Sequence, residues 1–222
     1  MRIASSNFFN SVVDTENGFL NTLVIENSHL FYRFACDICN QISGNNGSTV
    51  VSENDKPCIF PKRVELLDQF VPFEVNTRLI ISKLNAAFEQ NALSPDYYET
   101  GMQLLSEIEC FLNSMSLDLP CDVLFTKLNM GSIIKALGAE FRNEYHSLPE
   151  QILDYMELVR VLDRDKLFIL LNPRSYISDE ELELLAKDIL AKGYHVLFVD
   201  SFSRRLVARE KRITIDDDLC EI

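Results

Sequence analysis

The sequence predicts an α/β protein interrupted by a helical insertion, and three observations carry that expectation. Lys166–Asp200, KLFILLNPRSYISDEELELLAKDILAKGYHVLFVD, has the pattern strand, helix, strand. A similar buried-strand run, Leu20–Glu26, lies far upstream. Between them, from Asn76, the apolar spacing changes to a helical period.

Each element has a local reason. Leu20–Glu26 reads as the first central strand, and Asn27 or Ser28 can cap the helix after it. That helix carries Leu30, Phe31, Phe34, Ile38 and Ile42 on one face and ends in the turn-forming SGNNGS of Ser43–Ser48. Thr49–Asn76 shows short β-like pieces at Val50-Val51, Cys58–Phe60 and Val64–Phe73, and Pro57, Pro61 and Pro72 keep them short or at an edge. Helices are expected at Thr77–Gln90, Pro95–Asn113, Ile133–Phe141 and Glu150–Leu162. Leu167–Leu171 is an unbroken apolar run, as in a strand buried on both faces. Ser178 and Glu181 form a capping box, Leu182, Leu185, Ile189 and Leu190 line one helical face, and Gly193 sits where a C-cap glycine belongs. His195–Val199 is the second buried run, ending in Asp200. The expected division is an α/β head domain from residues 1–76 and 150–222 and an α-helical domain over 77–149.

Bulk composition bounds the function. The 222 residues, 47% hydrophobic and 25% charged, suit a folded protein with a large core. No run approaches a membrane span, and the N-terminus lacks a basic region followed by a long apolar core, so a cytoplasmic protein is expected. Of six cysteines only Cys36 and Cys39 are closely spaced; they fall inside a predicted helix, and buried apolar thiols are expected. The net charge of −13 argues against nucleic-acid binding by the surface at large, but the sign is uneven. Leu84–Thr126 has no Lys, Arg or His, whereas Ser203–Arg212 carries five basic residues against Glu210 alone.

A βαβ unit of this kind builds the parallel sheets of nucleotide hydrolases. No G-x-x-x-x-G-K-[ST] loop exists, and the turn after the first strand is Glu26-Asn27-Ser28-His29, without glycine or lysine. ATP hydrolysis is therefore not expected, nor a nucleotide cofactor. Asn172 and Asp200 end strands where a hydrolase could hold magnesium, but taken alone each suits a strand-end cap or turn former better. Glu107, Glu109, Asp118 and Asp122 flank a helix end without counter-charges, so they are either a solvated face or a hard-cation site for calcium. Arg204, Arg205, Arg209, Lys211 and Arg212 could contact phosphates, with Arg205, Val207 and Arg209 alternating as on a strand, or could protect a sheet edge. Lys56, Lys62 and Lys135 are further basic candidates. His29, His146 and His195 are isolated, which fits packing or surface roles.

Taken together, these segments resemble the ring-forming, double-stranded-DNA-binding adaptation proteins of type II-A CRISPR systems. The resembling stretches are Leu23–Asn27, Glu65–Asp68 with Phe73–Asn76, Lys135–Gly138 and, most specifically, Asn172–Leu182. The resemblance implies an α/β head related to P-loop ATPases but lacking the phosphate-binding loop and ATPase activity, plus an inserted α-helical domain. It implies a homotetrameric ring with duplex DNA in a basic hole, supported by Ca2+, acting in spacer acquisition beside the system's integrase and effector nuclease proteins. Leu117–Leu119 with Asp122 is similar to part of the family's acidic segment. Two other readings stand beside this noncatalytic one: a metal-dependent nuclease or phosphatase using Asp118, Asp122 or Asp200, and a scaffold that binds protein only.

Overall fold

A computed structural model of the chain describes residues 1–117, 119–121, 123–142 and 147–222. Two compact units result: Met1–Glu74 with Glu144–Ile222, and Val75–Asn143.

The first unit is a three-layer α/β structure. Its strands β1 (Arg2–Ser5), β2 (Phe9–Asp14), β4 (Thr49–Glu53) and β5 (Lys56–Pro57) form a small antiparallel sheet in the order β2-β1-β4-β5. The remaining strands, β3 (Leu20–Ile25), β6 (Val64–Leu67), β7 (Leu167–Leu171), β8 (His195–Asp200) and β9 (Glu210–Ile215), form a parallel sheet in the order β6-β7-β8-β3-β9. Side chains alternate across a strand. Leu23, Ile25, Leu167, Ile169, Leu197 and Val199 thus share one face, and they join a core with Phe34 and Ile38 of α1 (Ser28–Ile42) and Ile3 and Val51 of the small sheet. Phe168, Leu170, Val196 and Phe198 point the other way and are also buried. On that side α6 (Leu148–Leu162) supplies Ile152, Met156 and Val159, and α7 (Asp179–Lys192) supplies Leu182, Leu185 and Ile189.

The caps follow the sequence. Asn27 accepts the Leu30 N–H, the Ser178–Glu181 capping box is formed on both sides, and Gly193 closes α7 in the left-handed region at φ 68°. Several expectations are corrected. β1 and β2 precede the strand expected to come first. Cys58–Phe60 is not a strand; Phe60–Arg63 is the short helix α2, after which β6 covers only the first four residues of the expected Val64–Phe73 strand. Arg205–Arg209 is not a strand either, because Arg209 turns the chain at φ 61° and β9 begins at Glu210. None of the six thiols is buried: Cys36 and Cys58 are partly covered and the other four are exposed. Helix geometry explains the first pair, since at about 100° per residue Cys36 and Cys39 sit roughly 200° and 140° round from Phe34.

The second unit is helical, with α3 (Arg78–Ala92), α4 (Pro95–Ser116) and α5 (Met130–Leu137). Helix α5 starts and stops earlier than the expected Ile133–Phe141, because Asn129 accepts the Ser132 N–H and Gly138 takes φ 66°. Helices α3 and α5 approach closely at Gly131, where an added Cβ would lie 2.7 Å from Glu89 Oε1. Over its 22 residues α4 buries no side chain, although it carries Leu104, Phe111 and Met115. Among the described residues no helix is long and apolar enough to cross a membrane.

One ion pair joins the strand ends of the parallel sheet. Lys166, just before β7, donates to Glu65 of β6 at 2.7 Å and lies 3.3 Å from Asp163, and the Tyr155 hydroxyl donates to Glu65 at 2.8 Å. Lys166 is 4% exposed, so removing it takes the buried counter-charge from Glu65, whose side chain is 17% exposed. Lys166→Ala is expected to cost roughly 3–5 kcal/mol in urea unfolding, whereas a surface control such as Lys187→Ala should change stability by less than about 0.5 kcal/mol.

Candidate nucleic-acid interface

The carboxyl ends of β3, β7 and β8 are where open α/β sheets hold ligands. After β3 the turn is closed by the protein's own groups. The Asn27 side chain accepts the Leu30 N–H at 3.0 Å and donates to the Asp217 carbonyl at 3.1 Å, while the Glu26 N–H donates to the Ile215 carbonyl. A phosphate cradle needs glycine-permitted amides facing outward; here a side-chain cap takes that position.

After β7, Asn172 adopts the left-handed conformation at φ 53°, and its Oδ1 accepts from the Ser201 N–H and hydroxyl at 2.8 and 3.0 Å. It is a turn former that ties the ends of β7 and β8 together. Asp200 is different. It is 1% exposed, and neither carboxylate oxygen has a hydrogen-bond partner. Burial pushes its pKa up to about 6, with the Arg174 charge partly offsetting that and Glu210 adding to it.

Beyond Asp200, residues 201–209 run to β9 without helix or strand. Beneath this loop lies a buried ionic cluster. Arg174, 2% exposed, donates to Asp179 at 3.0 Å, to Glu210 at 3.4 Å and to the Arg205 carbonyl at 2.7 Å. Arg212 reaches Glu210 at 2.6 Å. Glu210, the one acid in Ser203–Arg212, is thereby neutralised from two sides. Arg204, Arg205, Arg209 and Lys211 are exposed, and none makes an ion pair among the described residues. The Arg204 guanidinium lies 4.8 Å from the centre of the Phe202 ring.

The model of a CRISPR-associated protein family, Cas_Csn2, matches residues 41–219. The chain belongs to that family. Among solved structures it is similar to Stu0660 of Streptococcus thermophilus, with a TM-score of 0.56 and 13% identity, covering 91% of this chain and 69% of that one. At that identity the likeness concerns the fold. No curated protein matches.

In this Cas_Csn2 chain the expected site residues fall into separate groups. Arg204, Arg205, Arg209, Lys211 and Arg212 come together around one loop, although Arg212 faces inward onto Glu210. Lys62, in α2 just before β6, stands at the opposite edge of the parallel sheet from β9, and Lys56 lies in the small sheet; both are exposed. Lys135 belongs to the helical unit and pairs with Glu89 at 2.8 Å. Glu107 and Glu109 are both exposed on α4, and Glu107 accepts from Gln103. Two residues apart on a helix, they point to opposite sides and cannot face one ion together. Asp118, Asp122 and His146 lie outside the described residues. Among the described residues no three His, Cys, Asp or Glu side chains converge as a metal site. His29 is exposed, and His195 is bonded through Nδ1 to Thr15 Oγ1 at 2.9 Å.

The residue that sequence reasoning missed is Arg174. Its signal was an arginine in the tight Asn172-Pro173-Arg174 turn directly after a fully buried strand. Its partners lie 31 and 36 residues away, beyond any local pattern.

Asp200 yields a pH prediction. A folded-state pKa raised from 3.8 to about 6 means that folding favours the neutral acid. The stability this group contributes is complete below pH 3.8 and is lost as pH rises through 6. Asp200→Asn, neutral throughout, is therefore expected to gain roughly 2–3 kcal/mol over wild type at pH 7.5, with the gain vanishing towards pH 4. Denaturant melts across that range measure it.

Proposed function

We propose that this chain is a noncatalytic, sequence-independent binder of double-stranded DNA that acts in CRISPR spacer acquisition. The observation that carries the reading is the loop after β8, whose exposed Arg204, Arg205, Arg209 and Lys211 stand uncompensated on a chain of net charge −13. Membership of a CRISPR-associated family gives that basic patch its context. Arginines without a base-reading frame bind phosphates, so the affinity is electrostatic and indifferent to sequence. The side-chain-capped turn after β3 supports a role without nucleotide hydrolysis.

The proposal extends to assembly. An outer surface can stay acidic if basic loops from several copies converge on a central duplex, which is the economy of a homotetrameric ring. Helix α4, apolar yet without a buried side chain, supports self-association. Calcium is assigned to the uncompensated acidic segment around Asp118 and Asp122. Glu107 and Glu109 do not form a cage by themselves, and no step of the binding is routed through the ion. The partners of such a clamp are the integrase and effector nuclease of the same cytoplasmic system.

Two measurements test this. Fluorescence anisotropy with a labelled linear duplex should show log Kd changing linearly with log salt, and Arg204→Ala/Arg205→Ala should reduce the slope by about two. Affinity independent of salt, or cleavage of the duplex with magnesium or manganese, overturns the reading. Native mass spectrometry should give a tetramer with calcium and smaller species after chelation; a monomer under both conditions removes the ring.

A further inference from the structure

We propose that Arg174 and Arg212 are positioning residues: they hold the loop that presents Arg204 and Arg205 to the DNA backbone, and neither touches DNA. The inference rests on the DNA-binding reading above and deepens it.

A nine-residue connection without regular structure has many conformations, and ordering it costs backbone entropy. Something must fix residues 201–209 if their arginines are to meet phosphates in register. Four anchors do so. The Arg174 Nη2 donates to the Arg205 carbonyl at 2.7 Å, and the same guanidinium is braced by Asp179, in the first turn of α7, at 3.0 Å. Arg212 Nη1 donates to the Arg204 carbonyl and to the Ser203 hydroxyl, the latter at 3.1 Å, and Nη2 to the Arg205 carbonyl at 3.4 Å. Glu210, whose side chain is fully buried, holds both arginines and accepts the Val207 N–H at 3.0 Å. Val207 itself is buried at 6% exposure and pins the far end.

The consequence is directional. Two successive carbonyls, of Arg204 and Arg205, are drawn inward by the guanidinium groups of buried Arg174 and partly covered Arg212, and both side chains are exposed. Charge is arranged to match. The two inner arginines are balanced by Glu210 and Asp179, so the cluster adds little net charge, and the outer basic residues keep their full positive field. Lysine could not replace Arg174, because one ammonium cannot span a backbone carbonyl and two carboxylates in a planar fork.

The test uses the full-length protein, two readouts and two kinds of variant. Without DNA, trypsin should cut after Arg204 and Arg205 roughly tenfold faster in Arg174→Gln than in wild type, because the loop is released. With a linear duplex, Arg174→Gln should lower the salt slope by about two, as though both outer contacts were gone, while Arg204→Ala lowers it by about one and leaves tryptic protection after Arg205 intact. Arg174→Lys should not restore either property. Arg212→Gln, at a less buried position, should reproduce the loop release and serves if Arg174→Gln does not fold. Wild-type protection and slope in both variants overturn the proposal. A slope reduced by one with protection unchanged also overturns it, since Arg174 would then be a phosphate contact. A wild-type protein that does not bind duplex ends the DNA reading and this role with it, and the trypsin arm then still reports separately whether the clamp exists.

Discussion

Burial on both faces of the parallel sheet is the constraint from which the rest of the α/β unit follows. A strand covered on both sides can hold almost nothing polar along its length, so β7 is LFILL and β8 is HVLFVD. Polar chemistry is then driven to the strand ends. Asn172 and Asp200 lie at such ends, and so does the Glu65–Lys166 pair that joins β6 to the start of β7. The small sheet and α1 seal one face, and α6 and α7 the other.

The same constraint explains why the charges of the buried ionic cluster are cross-connected. Arg174, Glu210 and Arg212 lie where the sheet runs out but the solvent has not yet begun. A single charge there would be prohibitive, and a pair barely breaks even against an apolar isostere. Two arginines donating to backbone carbonyls and a carboxylate accepting a backbone N–H gain something an apolar contact cannot give, a fixed direction for the loop. Asp200 is the exception, a carboxyl without a hydrogen-bond partner, and burial raises its pKa despite the Arg174 charge nearby.

How much of this could be read from the sequence depends on the range of the determining contacts. The β7–α7–β8 unit was legible almost to the residue, because strand burial, the Ser178–Glu181 box and the Gly193 cap are all local. β1 and β2 were not, since the small sheet has one open face and MRIASSNFFNSVVD gives no sustained apolar run. The Arg205, Val207, Arg209 alternation matched a strand period while the chain there is a loop; the left-handed turn at Arg209 resets the register before β9. The basic cluster was visible as composition, but its division into inner and outer arginines was not. Arg212 looked like its neighbours and became an anchor only because Glu210 is buried beside it. The exposed cysteines were misjudged for a different reason: residue type was weighed and helical angle was not.

Net charge is the coarsest of these signals, and it misleads when read alone. A value of −13 belongs to the whole chain, whereas a phosphate backbone responds to the field within about one Debye length, roughly 8–10 Å. Along Ser203–Arg212 five basic residues stand against Glu210 alone, and that acid is buried and paired. On the proposed reading, the acidic balance of the chain as a whole repels nucleic acid and favours contact at basic patches such as this loop. That bias is what a protein needs if it is to hold a duplex without preference for sequence and yet in a defined position.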